Sequence, residues 1–214
     1  MGDLFTSPPA PSQKGGDILD LGEKSKVLKA FLHDDSYIIT QNQDVEIAKW
    51  GLIPFWVRDV KTSKSIRNRT ANARTENVFS TTSFREAIKK RRCLIPSTGF
   101  YEYHHEENEA IPYRIFLPET EIFSLAGIYD EWQNPETGEY LRTFSVLTCK
   151  ANRLCGRIHN GGKNPGRMPV ILRPEDEEIY LNPDLTKDGI SGLFVPFEDS
   201  RMEAYPLDMN YLRA

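Results

Sequence analysis

Apolar and polar positions alternate over much of this chain, and the alternation predicts strands. Tyr37-Ile38-Ile39-Thr40 and Val45-Glu46-Ile47-Ala48-Lys49-Trp50 read as two strands around the polar turn Gln41-Asn42-Gln43-Asp44. Further strands are expected at about 93–96, 100–105, 112–117, 123–129 and 142–148, with a short one from Met168 to Leu172. Asn134-Pro135-Glu136-Thr137-Gly138 supplies turn chemistry to close a hairpin between the fourth and fifth of these. Helical period appears in fewer places. Ser83 to Arg92 has capping-box spacing between Ser83 and Glu86, a stripe of Phe84, Ala87 and Ile88, and bases at its C-terminal end. Pro174 opens a second helix through about Leu181, and Thr186 caps a shorter one. Lys61 to Thr70 is polar and basic and reads as a mobile segment, while Gly51 and Pro54 put Phe55 and Trp56 on a loop.

With strands dominating the middle and no internal repeat, the expected fold is a single α+β domain, built on a curved, mainly antiparallel, barrel-like sheet with flanking helices. Residues 1–26, which contain Ser7-Pro8-Pro9-Ala10-Pro11 and Gly15-Gly16, read as a linker-like or displaced N-terminal segment before a domain at 27–214. At 214 residues, 39% hydrophobic and 27% charged, the chain suits one sizeable core. No apolar run reaches membrane-span length and no basic-then-apolar signal opens the chain, so a cytoplasmic protein is expected, associated with the nucleoid when bound to DNA. Three cysteines at irregular spacing make neither a disulfide framework nor a metal knuckle. No metal, cofactor or membrane is expected, and the chain is expected to be a monomer.

Charge is unevenly spread. The net value is −4, yet Arg58 to Arg92 holds eleven Lys/Arg against three acids, which is +8 and leaves −12 for the remainder. Such asymmetry suggests a surface for a polyanion on an acidic body, or a solvated helix face plus a loop.

The candidate chemistry lies in the run Arg92-Cys93-Leu94-Ile95-Pro96-Ser97-Thr98-Gly99-Phe100-Tyr101-Glu102-Tyr103, where one acid interrupts an apolar strand flanked by aromatics. A carboxylate there needs a partner or a use, so Glu102 is either a catalytic acid or a buried partner for an arginine. His159, ahead of the loop Gly161-Gly162-Lys163-Asn164-Pro165-Gly166, is either a general acid/base or a hydrogen-bonded structural histidine. Asn72 is a turn or cap residue or part of a site. Trp56 stacks on a base or packs over the sheet edge. Trp50 and Cys93 belong to the core.

Taken in order, Trp-Gly-Leu-Ile-Pro at 50–54, Asn-Ala-Arg-x-Glu at 72–76, Arg-Cys-Leu-Ile-Pro-x-x-Gly-Phe-Tyr-Glu at 92–102, and Ile-His at 158–159 with Arg-Met-Pro at 167–169 resemble the SOS response-associated peptidase (SRAP) family, the abasic-site processing proteins. The resemblance covers roughly residues 37–212. It implies binding of single-stranded DNA containing abasic sites and capture of the ring-opened aldehyde by an N-terminal cysteine whose amine and thiol close a thiazolidine. Carried over by motif, Asn72 would position the terminal amine, Glu102 would steer protons at the sugar and amine, and His159 would act as acid/base in ring opening and reversal. Arg74 would hold phosphate beside the lesion, with Arg58 and Arg167 also on the DNA, and Trp56 would fill the break in base stacking.

The chain departs from that pattern at its start, where Gly2 stands in place of the cysteine. Three readings follow: a start other than the natural one, which the linker-like opening favours; a member that binds the lesion without durable cross-linking; or a lyase that forms a Schiff base through the Gly2 amine. A non-catalytic single-strand binding module, keeping Arg74, Trp56 and the basic helix, is the rival from another class. Peptidase activity, implied by the family's name as self-cleavage, would otherwise need a nucleophile beside His159, and Cys155 is the nearby candidate in sequence.

Overall fold

A computed structural model describes residues 4–7, 26–29, 32–107, 109–162 and 164–208. Gly2 and the turn-rich stretch 8–16 lie outside the described residues. Strands β3 (Asp35–Thr40), β4 (Val45–Trp50), β6 (Arg92–Ser97), β9 (Phe123–Gln133) and β10 (Tyr140–Lys150) close into a five-stranded barrel in the order β10-β4-β3-β6-β9 and back to β10. Its pairings are antiparallel except at the closing seam, where β4 and β10 run parallel and meet only as Thr143 opposite Lys49 and Phe144 opposite Trp50. Trp50 and Phe144 stack there with ring centroids 6.0 Å apart. Two short strands, β5 (Asn72–Arg74) and β11 (Arg167–Pro169), attach to the far end of β10.

A second sheet, in the order β12-β8-β7-β1-β2, lies beside the barrel; it comprises β1 (Leu4–Ser7), β2 (Lys26–Lys29), β7 (Gly99–Glu106), β8 (Glu109–Phe116) and β12 (Glu203–Pro206). Two of its strands thus lie in or at the end of the stretch expected to be linker-like. The chain passes from barrel to second sheet at Ser97-Thr98-Gly99. There the Ser97 hydroxyl donates to the Gly99 carbonyl at 2.9 Å and accepts from its N–H at 3.2 Å, which pins the bend.

Local signals account for several elements. Asn134 and Gly138 shape the β9–β10 turn, Gly138 at a φ of +77° and the Asn134 side chain accepting from Glu136 N at 2.9 Å. Helix α4 (Pro174–Leu181) starts with proline and three acids, and α5 (Lys187–Gly192) is capped by the Thr186 hydroxyl on Gly189 N. Tyr180 of α4 is fully buried and donates to the Gly127 carbonyl of β9 at 2.9 Å.

Three expectations change. Lys61 to Thr70 is largely helical: α1 (Val60–Arg67) is capped by Asp59, whose carboxylate accepts from Thr62 N at 2.7 Å, and buries Ser63. The expected helix at Ser83–Arg92 contracts to α2 (Ala87–Lys90), preceded by successive turns anchored on the Asn77 and Thr81 carbonyls. Arg92 belongs to β6 instead and leaves the basic surface altogether. Its guanidinium is buried and donates to the carbonyls of Ile88, Lys89, Tyr180 and Asn182, tying α2 and α4 to the barrel.

Candidate active site

Glu102 sits in β7 between buried Tyr101 and half-buried Tyr103, with its own side chain only 1% exposed. A sheet position this deep would ordinarily take an apolar residue. The partner comes from the opposite direction in sequence. Helix α3 (Arg153–Ile158) packs on β7, and Asn152 caps it by accepting from Cys155 N at 2.8 Å. His159 ends the helix, its N–H on the Cys155 carbonyl, and its Nδ1 stands 3.7 Å from a Glu102 oxygen and 3.3 Å from the Arg167 carbonyl.

Both of these neighbours of Nδ1 accept hydrogen bonds, so Nδ1 carries the proton and Nε2 keeps the lone pair. Burial pushes the imidazole below its ordinary value, against the pull of the Arg167 carbonyl, so His159 is neutral near pH 7. The result is a buried carboxyl group beside a neutral imidazole, a pair able to pass a proton to or from a group bound next to them.

The segment after His159 is clamped onto β7. The Asn160 side chain accepts from His105 N at 2.8 Å and donates to His105 O at 2.9 Å. Gly161 lies so close that a Cβ there would stand 2.8 Å from the His105 ring, which excludes a side chain. His104 Nδ1 reaches the Arg157 carbonyl at 3.1 Å, a further tie between β7 and α3. The segments that carry Glu102 and His159 are therefore held together by several independent contacts.

Arg167 links this pair to a polar cluster at the end of β10. Besides offering its carbonyl to His159, it gives both terminal nitrogens to Glu76 and reaches Thr148 O. Arg74, opposite Thr148 in the β5–β10 ladder, is exposed and donates to the Asn164 side chain. Asn72 lies two residues before it in the same strand, opposite Val146, and is half-buried. Glu102, His159, Arg167, Glu76 and Arg74 are thus joined through direct contacts or through one strand end.

Trp56 and Arg58 lie elsewhere. Their loop is anchored near the barrel seam, where Thr143 Oγ1 accepts from Ile53 N at 2.8 Å and Trp132 Nε1 donates to Val57 O at 2.9 Å. Five residues of β10, roughly 16 Å of strand, separate Thr143 from Thr148. Arg58 is exposed, but Trp56 is half-buried against Ile53, Val57 and Trp132. Sequence reasoning gave no role to Phe55, Arg91, Asp130 or Glu76. Glu76 was visible in the Asn-Ala-Arg-x-Glu block; the others carried no signal of their own.

Cys155 does not supply a nucleophile. It is fully buried in α3, and desolvation raises its thiol far above the ordinary range, with Glu102 adding to the effect. Cys93 and Cys149 are buried too, and desolvation pushes the Cys149 thiol up to about 11. Among the described residues, no cluster of three His, Cys, Asp or Glu could hold a metal ion. No helix among them is long and apolar enough to cross a membrane.

Known proteins are similar to this chain in sequence and fold. A crystal structure of a protein from Bacteroides thetaiotaomicron is 44% identical, with a TM-score of 0.85 over 88% of this chain and 80% of that one. A second, from Bordetella bronchiseptica, has the same fold at 20% identity, with a TM-score of 0.80 over 97% of this chain and all of the other. The abasic site processing protein YoqW of Bacillus subtilis is 40% identical over 159 residues, which are 73% of this chain and 66% of YoqW. The abasic site processing protein HMCES of Xenopus tropicalis is 27% identical over 197 residues, 82% of this chain and 56% of that protein. This chain therefore spans about two thirds of YoqW's length and little more than half of HMCES. The family model described as SOS response associated peptidase (SRAP) matches residues 23–211, and with the buried Glu102–His159 pair standing inside the matched blocks, this chain belongs to the SRAP family.

Proposed function

We propose that this chain processes abasic sites in single-stranded DNA by capturing the ring-opened aldehyde with an N-terminal amine, while Glu102 and His159 move the protons. The observation that carries the reading is the buried Glu102–His159 contact on β7, next to the position that faces the start of β1. Strand β1 is antiparallel to β7 with Leu4 opposite Tyr101, so its amino-terminal end points along β7 toward Glu102. The names of the relatives at 27–40% identity support the same substrate.

In this reading the amine nitrogen forms a bond to the aldehyde carbon as the carbonyl electron pair moves to oxygen, which takes a proton. The nitrogen then gives up a proton, protonation of the hydroxyl lets it leave as water to give an iminium, and loss of the remaining N–H proton gives the imine. Neutral His159 is suited to take the proton from nitrogen, and Glu102, beside it, to relay it. Asn72 would orient the amine. Arg74, Arg167 and Arg58 would hold phosphates, and Trp56 would sit at the break in base stacking. A thiol on the same N-terminal residue would add to the imine carbon and close a thiazolidine; an N-terminal residue without a thiol leaves an imine that hydrolyses or goes on to strand cleavage.

The test is a single-stranded oligonucleotide carrying one abasic site, resolved on a denaturing gel with and without borohydride. An adduct seen only after reduction is expected where the N-terminal residue that supplies the amine carries no thiol. Glu102→Gln and His159→Ala should slow adduct formation by about 100-fold or more, as loss of general acid/base catalysis does, while changing DNA affinity less than about twofold. No adduct in either lane, with DNA binding intact, would sink the capture chemistry and leave a lesion-binding module.

A further inference from the structure

Among the residues whose burial is described, Phe55 is the one Phe or Trp that is largely exposed, at 50%. An exposed phenyl ring is unremarkable on a floppy loop, but this loop is held from beneath. Phe55 N donates to Asp130 Oδ2 at 3.1 Å, across 75 positions of sequence. Asp130 is a barrel residue of β9, 3% exposed, and its other oxygen accepts from Glu131 N at 2.9 Å. Arg91 completes the arrangement. Its Nε lies 3.1 Å from Asp130 Oδ1, and its guanidinium carbon sits 5.6 Å from the centre of the Phe55 ring.

A carboxylate buried in a barrel wall is costly, and desolvation raises the pKa of Asp130 against the pull of Arg91. The barrel itself has no need of an acid there. What the acid does is fix a backbone N–H of the loop and aim a flat cation at the ring beside it. Fixing an aromatic ring while leaving it half in solvent prepares it for a flat partner. Arg58, Lys61 and Lys64, exposed just downstream, supply positive charge for a phosphate backbone.

We propose that Phe55 is a stacking platform for an unpaired nucleobase, and that Asp130, through Arg91 and the Phe55 backbone, is the residue that positions it. The inference rests on the single-stranded DNA reading above and assigns the exposed stacking face to Phe55, beside the half-buried ring of Trp56. Stacking needs a planar ring, so Phe55→Leu should weaken binding of an undamaged single-stranded oligonucleotide by about tenfold, and Phe55→Trp should retain it. Phosphate contacts are untouched, so the salt dependence of Phe55→Leu should match the wild type.

Asp130→Asn and Arg91→Lys test the positioning. Each should weaken binding alone, yet add little in a Phe55→Leu background, because both act through the ring. Arg91→Lys keeps a charge against Asp130 and serves should Asp130→Asn fail to fold. Wild-type affinity in Phe55→Leu, or losses from Arg91→Lys that simply add to those of Phe55→Leu, would overturn the assignment. Failure of the wild-type chain to bind single-stranded DNA would remove the underlying reading as well, and is distinguishable because it appears in the wild-type arm.

Discussion

Glu76 holds the guanidinium of Arg167 by both terminal nitrogens, so the arginine proposed above to hold a phosphate is already occupied by an anion of the protein itself. The Arg167 hydrogen bond lowers the pKa of the Glu76 carboxyl from its ordinary value, so the pairing is lost only as the pH falls through that lowered value. Arg167 is mostly covered, 12% exposed, whereas Glu76 is 55% exposed and free to swing away. A bound phosphate would compete with Glu76 for the same two nitrogens. Glu76→Gln should therefore tighten single-stranded DNA binding by about three- to tenfold at low salt, with the difference fading at high salt, as anisotropy titrations at two ionic strengths would read. Weaker binding would mean that Glu76 serves to hold Arg167 in place.

His159 makes stability depend on pH in a defined direction. Its folded pKa lies below the ordinary 6.5, so between the two values the unfolded chain binds more protons and stability rises with pH. The contribution is complete above about 6.5 and is lost as the pH falls through the lower, folded value. Thermal unfolding across pH 5 to 7.5 should show a falling midpoint on the acid side that flattens in His159→Gln. An unchanged slope in that variant would assign the effect to another group.

Gly51 should tolerate no side chain. It has a φ of +101°, and a Cβ there would stand 2.7 Å from Arg67 Cγ and 2.8 Å from the Arg67 carbonyl oxygen. The side chain could yield; the backbone oxygen of α1 cannot without moving the helix. Gly51→Ala should cost about 2 kcal/mol or more in urea denaturation, combining backbone strain with the clash. Because the Phe55 loop and α1 lie between Gly51 and Arg67 in the chain, the same variant should weaken DNA binding as well.

Arg92 and Arg74 should part company. Arg92 is buried with four carbonyls to satisfy, so Arg92→Met should destabilise the fold by about 3 kcal/mol by stranding them. Arg74 is exposed at the end of β5, so Arg74→Ala should leave the unfolding midpoint nearly unchanged and lower the salt slope of DNA binding by about one. Equal effects of the two on the salt slope would contradict the burial of Arg92.

What could be read from the chain follows the range of the forces involved. Strand alternation, the Asn134–Gly138 turn, the proline start of α4 and the Thr186 cap are local, and each appears in the structure. Helix α1 escaped because only Val60 and Ile66 break its polar run; its stability comes from the Asp59 cap and from packing beside Val57 and Trp132. Arg92 was counted with the surface bases because a composition count cannot see four carbonyls converging from α2 and α4. Glu102 and His159, 57 positions apart, were singled out separately, and only folding reveals their 3.7 Å approach. Likewise, nothing in two adjacent aromatics says that Trp132 will cover Trp56 and leave Phe55 in solvent.

Strand β10 touches almost everything that matters here. It closes the barrel on β4, and beyond that seam it carries β5 with Asn72 and Arg74 and β11 with Arg167. A slip of one residue along it would turn every side chain to the wrong face, opening the barrel and dispersing the arginines in one event. Chemistry and folding are therefore inseparable in this molecule. A chain with β10 out of register has neither the closed barrel nor the cluster that gathers Arg74, Glu76 and Arg167, because both hang on the same strand.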